Sequence, residues 1–382
     1  MRKRKIAYIT GTRADYGLMT PVLRSIEESK KLELQLYTTG IHLMPQFGET
    51  AKLVKKEFPQ TRRIKAIFKT DEKSSVVDFS GLYINLLNKV FKKDKPDIVL
   101  ILGDRVEMLC TAMVCLYLGI PTAHIHGGEK TFTVDEVSRH AISKISSLHF
   151  PATKESAERI LKMGEEKWRI HVVGAPTLDS ILNKKLPTRI EVLEKLSMDP
   201  KQKFILVVQH PVSSEMKDSG YQMQETITAV KEINLPVVII YPHPDPGGRK
   251  IIKIIEKEKN NPLFHIFPNI DFESFLALER EAIVWVGNSS AAMIESSSFK
   301  TPVVNIGTRQ IGRQRGENVI DVGYNRKNIL IAIKKSLTDK SYLAKLQTIK
   351  NPWGDGKTGS RIVRILEEIE INSKILIKQI TY

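Results

Sequence analysis

The chain has 382 residues, 41% hydrophobic and 27% charged, with a formal net charge of +16. That length and composition suggest two ordinary globular domains, and no run reaches the ~18 apolar residues of a membrane-spanning helix. Its 59 Lys and Arg residues are scattered over helix faces and loops. No RNA-binding aromatic motif or zinc-finger spacing accompanies them, so the charge points to an anionic small substrate rather than nucleic acid.

In chain order, short apolar runs alternate with helical patterns, which argues for βα units and parallel sheets. The basic start, residues 1–5, leads into residues 6–10, an apolar run too short for the core of a signal peptide. It reads as a first strand with a basic overhang, and the expected location is the cytoplasm. Further strands are expected over 34–38, 98–102, 122–125, 148–150 and 170–173. Helices are expected over 21–28, with Pro21 at the first helical position, then 107–118, 135–146, 154–163 and 177–182. Cys110 and Cys115 share one of these helices, and a spacing of five puts them on different faces, so they read as buried thiols rather than a disulfide.

A charged stretch over 183–203, with Pro187, Pro200 and helical character at 190–196, marks the expected boundary. The domains are placed at 1–185 and 186–357. A second set of strands follows over 204–208, 237–241, 263–267, 283–286, 303–306 and 319–322. Helices are expected between them at 224–233, 249–258, 272–280, 291–299 and 327–337, and a last helix at 360–371. Two six-stranded, doubly wound halves facing each other across a cleft are the expected α/β architecture, with ligands at the carboxyl ends of the strands.

The polar clusters fall at those strand ends. The first strand runs into Gly11-Thr12-Arg13-Ala14-Asp15-Tyr16-Gly17, which is not a dinucleotide fingerprint but suits a phosphate through backbone N–H groups and a guanidinium fork. The strand at 98–102 ends in Gly103-Asp104-Arg105, with Glu107 close behind: a local ion pair, or an acid/base carboxylate beside an anion-binding arginine. His124-Ile125-His126-Gly127-Gly128-Glu129 follows the next strand. Residues two apart on a strand point the same way, so the two histidines invite a metal reading, but no further His-rich element completes a shell, and no metal is expected. Asp135 opens a helix and can pair with Arg139 four residues on. In the second half, His210 and His243 sit at successive strand ends. Gly287-Asn288-Ser289-Ser290 is the sharpest phosphate signal, with Glu295 placed to bind a sugar diol. Gly307-Thr308-Arg309-Gln310 adds one more arginine, while Ser296-Ser297-Ser298 reads as helix packing. A nucleoside diphosphate bound between two domains accounts for the set.

As an ordered set, these motifs resemble the hydrolysing UDP-N-acetylglucosamine 2-epimerases of sialic acid synthesis, particularly the bacterial branch. The likeness runs nearly end to end and includes Lys130-Thr131, Gln209-His210-Pro211 and Ile311-Gly312-Arg313. It implies a GT-B fold, two Rossmann-like domains with UDP in the interdomain cleft, and a C-terminal helix, about 358–382, packing back on the first. The implied reaction converts UDP-GlcNAc and water to N-acetylmannosamine and UDP, through elimination to 2-acetamidoglucal and hydration, without a cofactor. The alternatives are the same reaction on UDP-N,N'-diacetylbacillosamine and a non-hydrolysing epimerase. By position, Arg13, Arg105, His210, Ser289, Ser290, Glu295 and Arg309 match UDP contacts. Asp15, Gly17, Arg139, His243 and Asn269 complete the expected binding set. Asp104 and Asp135 match catalytic carboxylates, with His210 also expected in the chemistry. Many relatives carry Glu where this chain has His126, so either His126 or Glu129 takes that acid/base place. A homodimer or homotetramer is implied.

Overall fold

A computed structural model describes residues 2–45, 48–70, 72–131, 135–242 and 247–382. The chain divides into two compact units, the first from residues 1–129, 134–180 and 353–382, the second from 130–133 and 181–352.

The first unit is built on strands Arg4–Thr10 (β1), Leu32–Thr38 (β2), Arg62–Arg63 (β3), Ile98–Leu102 (β4), Thr122–Ile125 (β5) and Leu148–Phe150 (β6). They pair in parallel in the order β3-β2-β1-β4-β5-β6. Because helices cover both faces, the central strands are near-continuous apolar runs instead of alternating, β4 along its whole length and β1 from Ile6 to Ile9. Along β1, Ile6 and Tyr8 enter one hydrophobic cluster and Ala7 and Ile9 the other, as the two-residue period of a strand requires.

The second unit repeats the plan with Ile205–Val208 (β7), Val237–Ile240 (β8), Phe264–Phe267 (β9), Val284–Gly287 (β10), Val303–Ile306 (β11) and Val319–Val322 (β12). Its order is β12-β11-β10-β7-β8-β9. Counted from each unit's own first strand, both sheets follow the 3-2-1-4-5-6 order of a doubly wound fold. Each therefore has one switch point, between β1 and β4 in the first unit and between β7 and β10 in the second. Crevices at such points are where open α/β sheets bind ligands.

Several expected elements need correction. Residues 170–173 form no strand; Ile170 makes one isolated bridge to His149. The sixth strand is instead Arg62–Arg63, an exposed edge pair that pairs in register with Tyr37 and Thr38, with the Arg62 side chain bonded to Asp94 and the Tyr37 hydroxyl; two arginines leave no apolar trace. The first helix spans Arg13–Glu28, with Pro21 inside it. A capping box between Thr12 and Asp15 starts it earlier than the proline suggests, and the residue whose carbonyl the proline ring faces is Gly17, four places back. The helix Lys73–Asp94, 22 residues long, fills a stretch without an expected element. Its buried Phe79, Tyr83, Leu87 and Phe91 recur every four residues, a periodic signal present in the sequence. The helix expected over 291–299 is two short ones, Ser290–Ile294 and Ser296–Phe299, broken at Glu295. Both cysteines are buried free thiols.

The chain returns to the first unit at its end. Asp179 caps the helix Thr358–Glu368, accepting from the Thr358 and Gly359 N–H groups at 2.8 and 2.7 Å. Ile362 and Leu366 of that helix join the core beside β1. Arg169, wholly buried, donates to the carbonyls of Lys374, Ile375 and Ile377 at 2.8, 2.8 and 2.9 Å and fastens the following segment.

Candidate active site

At the first switch point, β1 ends in a turn organised by Asp15. Its carboxylate accepts from the Gly11 and Thr12 N–H groups, both at 3.0 Å, and from the Thr10 hydroxyl. Burial pushes its pKa up to about 6, against the lowering effect of the Thr10 bond and of Arg105. Asp15 therefore serves the loop's own backbone, while Arg13 and Gly17 lie half-buried on the helix that follows. Across the switch point, Gly103-Asp104-Arg105 follows β4. Arg105 meets Glu107 through Nε and Nη2, both at 3.3 Å.

The two histidines of the β5 segment have different fates. His124 is wholly buried, with Nε2 2.7 Å from the Gly103 carbonyl and Nδ1 3.0 Å from the Ser143 hydroxyl. Burial, its largest influence, drives its pKa down to about 3, so it stays neutral and structural near pH 7. Both ring nitrogens are engaged by the protein, which removes it from the metal reading. His126 has left-handed backbone, φ +60°, a conformation uncommon for a residue with a side chain and frequent at functional sites. Its Nδ1 is hydrogen-bonded to Glu129 Oε1. Glu129 Oε2 accepts from Arg139 Nη1 at 2.9 Å, and Arg139 Nη2 donates to Asp104. His126, Glu129, Arg139 and Asp104 thus form one chain of contacts. The side chains of Glu129 and Arg139 are 1% and 6% exposed, whereas that of Asp104 is 19% exposed. The partners of Arg139 include two acids distant in sequence, in place of the helical pairing with Asp135 alone that spacing suggests. Asp135 opens the helix Asp135–Ile145 and is exposed.

The second switch point joins the ends of β7 and β10. Gly287 has φ +137°, and a Cβ there would stand 2.0 Å from the Val208 carbonyl oxygen, so only glycine allows this approach. The Asn288 side chain then bridges to the His210 backbone, accepting from its N–H at 2.7 Å and donating to its carbonyl at 2.9 Å. The Asn288 carbonyl accepts from Arg309 Nη1 at 3.1 Å and Gln310 Nε2 at 2.9 Å. His210, Asn288, Ser289 and Arg309 are in this way gathered around two strand ends. Ser289 precedes the short helix Ser290–Ile294, and Glu295, 3% exposed, sits at the break after it. Ser296 and Ser297 are buried and bonded to Asn318, which makes them packing residues. Asn269 is exposed in the loop after β9. His243 lies outside the described residues.

Glu107, named in the sequence only as the acid behind Gly103-Asp104-Arg105, forms the local ion pair offered there. Two further acids escaped the motif reading. Glu215 accepts from Thr308 Oγ1, from the Tyr324 hydroxyl at 2.6 Å and from Gln222 Nε2 at 2.8 Å, and so ties the loop carrying Arg309 to the segment after His210. Glu279 is wholly buried beside Glu295, and burial first, then that neighbouring carboxylate, holds its pKa well above the usual range. Neither Glu215 nor Glu279 lies in a Gly-rich or His-rich run, so no local pattern could single them out.

Residues 24–367 match the protein-family profile described as UDP-N-acetylglucosamine 2-epimerase. The chain belongs to that family. Among curated members of the UDP-N-acetylglucosamine 2-epimerase family, it is 38% identical over 376 residues to the hydrolysing UDP-N,N'-diacetylbacillosamine 2-epimerase of Legionella pneumophila, covering 98% of each chain. It is 35% identical over 329 residues to the hydrolysing GDP/UDP-N,N'-diacetylbacillosamine 2-epimerase of Campylobacter jejuni, covering 85% of this chain and 86% of that one. The UDP-N-acetylglucosamine 2-epimerase of Neisseria meningitidis serogroup B is also 35% identical, over 334 residues and 87% of each. Solved structures of the family share the fold. The Neisseria meningitidis UDP-GlcNAc 2-epimerase bound to UDP-GlcNAc aligns with TM-score 0.77 at 21% identity, over 95% of this chain and 99% of that one. The enzyme from Methanocaldococcus jannaschii aligns with TM-score 0.70 at 23% identity, again over 95% and 99%. The architecture is accordingly the GT-B type, with two Rossmann-like, doubly wound domains.

Proposed function

We propose that this enzyme is a hydrolysing 2-epimerase acting on UDP-N,N'-diacetylbacillosamine. The observation that carries the substrate is the 38% identity over 98% of both chains to a Legionella enzyme of that name, with the Campylobacter relative in agreement. The resemblance read from the motifs puts UDP-GlcNAc, and with it sialic acid synthesis, first; these relatives favour the diacetylated sugar. UDP-GlcNAc remains a second reading because the Neisseria relative matches over 87% of each chain.

In the proposed reaction a base removes the C2 proton, the C1–O bond breaks and UDP leaves, giving a 2-acetamido glycal. Water then adds, its hydroxyl to C1 and a proton to C2 on the opposite face, releasing the free sugar inverted at C2. The C2 proton is weakly acidic, so positioning of the base and stabilisation of the leaving diphosphate carry the rate. In the proposed assignment Arg13, Gly17 and Arg105 bind UDP or substrate in the first unit, where Asp15 shapes the loop. His210, Ser289, Ser290, Glu295 and Arg309, with His243 and Asn269, bind it in the second.

The contacts around His126 favour it over Glu129 as the group that exchanges protons with the sugar. Glu129 has one oxygen on His126 and the other on Arg139 and is nearly excluded from solvent. Its role is to hold His126 Nδ1, which assigns proton exchange to Nε2. Asp104 and Asp135 supply the carboxylates of the reaction, and Arg139 holds Asp104 in place. The enzyme works without a cofactor, in the cytoplasm, as a homo-oligomer. No helix among the described residues is long and apolar enough to cross a membrane, in keeping with that location.

The deciding experiment incubates the protein with UDP-N,N'-diacetylbacillosamine and UDP-GlcNAc separately. Free UDP and the C2-epimerised sugar are followed, with deuterium uptake at C2 in heavy water. A kcat/KM at least tenfold higher for the diacetylated sugar is expected. A preference for UDP-GlcNAc establishes the second reading, and a UDP-linked epimer without UDP release refutes hydrolysis.

A further inference from the structure

Glu107 is a wholly buried acid one turn from the end of β4. Taking a carboxylate out of water is costly unless a cation and hydrogen bonds replace the solvent. The cation is Arg105, bonded to both carboxylate oxygens at 3.3 Å. The arginine itself is not sequestered, since its side chain keeps 40% of its exposure. The pair is thus one-sided, with a buried anion holding a cation that still faces solvent at the carboxyl end of a central strand. An apolar residue in place of Glu107 would pack the same volume without the burial cost, so stability alone does not account for the acid.

The backbone around it is shaped to admit the carboxylate. A Cβ on Gly11 would lie 2.5 Å from Glu107 Oε1 and 2.9 Å from its Cδ, and a Cβ on Gly40 would lie 3.0 Å from Oε1. Two glycines, at the ends of β1 and β2, therefore leave the space the carboxylate fills. The first belongs to the turn that faces Arg105 across the switch point. Asp15, the second buried acid of this cluster, also feels the Arg105 charge. The guanidinium is accordingly held by the Glu107 carboxylate, with the Asp15 acid of the neighbouring strand end close enough to favour its charge.

We propose that Glu107 is the positioning residue for Arg105, fixing its guanidinium in the orientation that receives the diphosphate of the nucleotide-sugar. The proposal rests on the reading of this crevice as a UDP-sugar site. Its physical content is preorganisation. A free arginine must surrender its rotamer freedom when the anion arrives, whereas one already clamped has surrendered it on folding. The carboxylate also keeps Nε and Nη2 occupied, so the diphosphate meets the remaining edge of the fork in a single geometry.

The test is a double-mutant cycle read by UDP affinity in calorimetry and by the split between KM and kcat. Glu107→Gln keeps the shape and removes the charge; it should weaken UDP binding and raise KM about tenfold, with kcat within about threefold of wild type. In an Arg105→Ala background the same change should have no further effect, because the residue acts through Arg105. Gly11→Ala, which presses on the carboxylate from the other side, is the second route should Glu107→Gln fail to fold. It should raise KM in the wild-type background and leave the Arg105→Ala protein unchanged. Unchanged UDP affinity in both variants, or losses that simply add to that of Arg105→Ala, overturns the proposal. Absence of UDP binding by the wild-type protein instead overturns the underlying UDP-sugar reading, so the two failures are distinguishable.

Discussion

Replacing Arg139 with Met tests the contact chain most directly. Met keeps much of the apolar stem and removes the guanidinium. Glu129, 1% exposed, then loses its cation, and Asp104, 19% exposed, loses its own. Breaking a buried pair by removing one partner destabilises by ~3–5 kcal/mol. Asp104 is partly solvated and reports little of this, so the lower end, about 3 kcal/mol, is expected from Glu129 alone. In a unit of this size that corresponds to a fall in Tm of roughly 6–12 °C. The sign of the pH dependence follows from the same charge balance. An acid buried without its cation binds a proton more readily folded than unfolded, so the variant's deficit is full above neutrality and shrinks as pH falls towards 5. Thermal unfolding of wild type and Arg139→Met at pH 8 and pH 5 reads both numbers. A deficit below about 1 kcal/mol at pH 8, or one that grows on acidification, would refute the reasoning.

His126→Ala and Glu129→Ala should each lower kcat by about 10²–10⁴-fold, and the double variant should lose little more, since the two act as one unit; multiplicative losses in steady-state assays would separate their roles. Asp15, with its pKa raised to about 6, is protonated in the folded state while the unfolded chain is still ionised. It therefore makes the protein more stable as pH falls from about 7 towards 4, by up to about 3 kcal/mol, and Asp15→Asn should flatten that part of the urea-midpoint profile. Asn288→Ala strips two hydrogen bonds from the His210 backbone and should destabilise by ~2–4 kcal/mol, visible as a lower denaturation midpoint with an unchanged m-value. Gly287→Ala should be worse, because its Cβ would be driven to 2.0 Å from the Val208 carbonyl oxygen; an insoluble or poorly folded product is the expected readout, and normal Tm would contradict the geometry.

Much of the sheet framework was legible because its signals are local. The strand expectations at 98–102, 122–125, 148–150, 303–306 and 319–322 coincide with β4, β5, β6, β11 and β12; the first four are buried along their whole length, and a strand buried on both faces is a largely apolar run. The polar clusters announced themselves for the same reason, each being a Gly-, His- or Ser-bearing break at the end of such a run. Where the signal was weak, as at Arg62–Arg63, or competed with another, as at Pro21, local reading placed the element wrongly.

By itself, then, the sequence determined the doubly wound plan, the positions of the strand-end clusters and the family. Only the tertiary structure decided how those clusters are wired. His124 and His126 stand two residues apart, yet one is a neutral strut between Gly103 and Ser143 and the other is bound to an acid. Arg139 meets Asp104 from 35 residues away, and Glu215 and Glu279 acquire their neighbours only when strands and helices close around them. Apolar periodicity is a property of neighbouring residues, whereas the partner of a buried charge is set by which chain segments the sheet brings together.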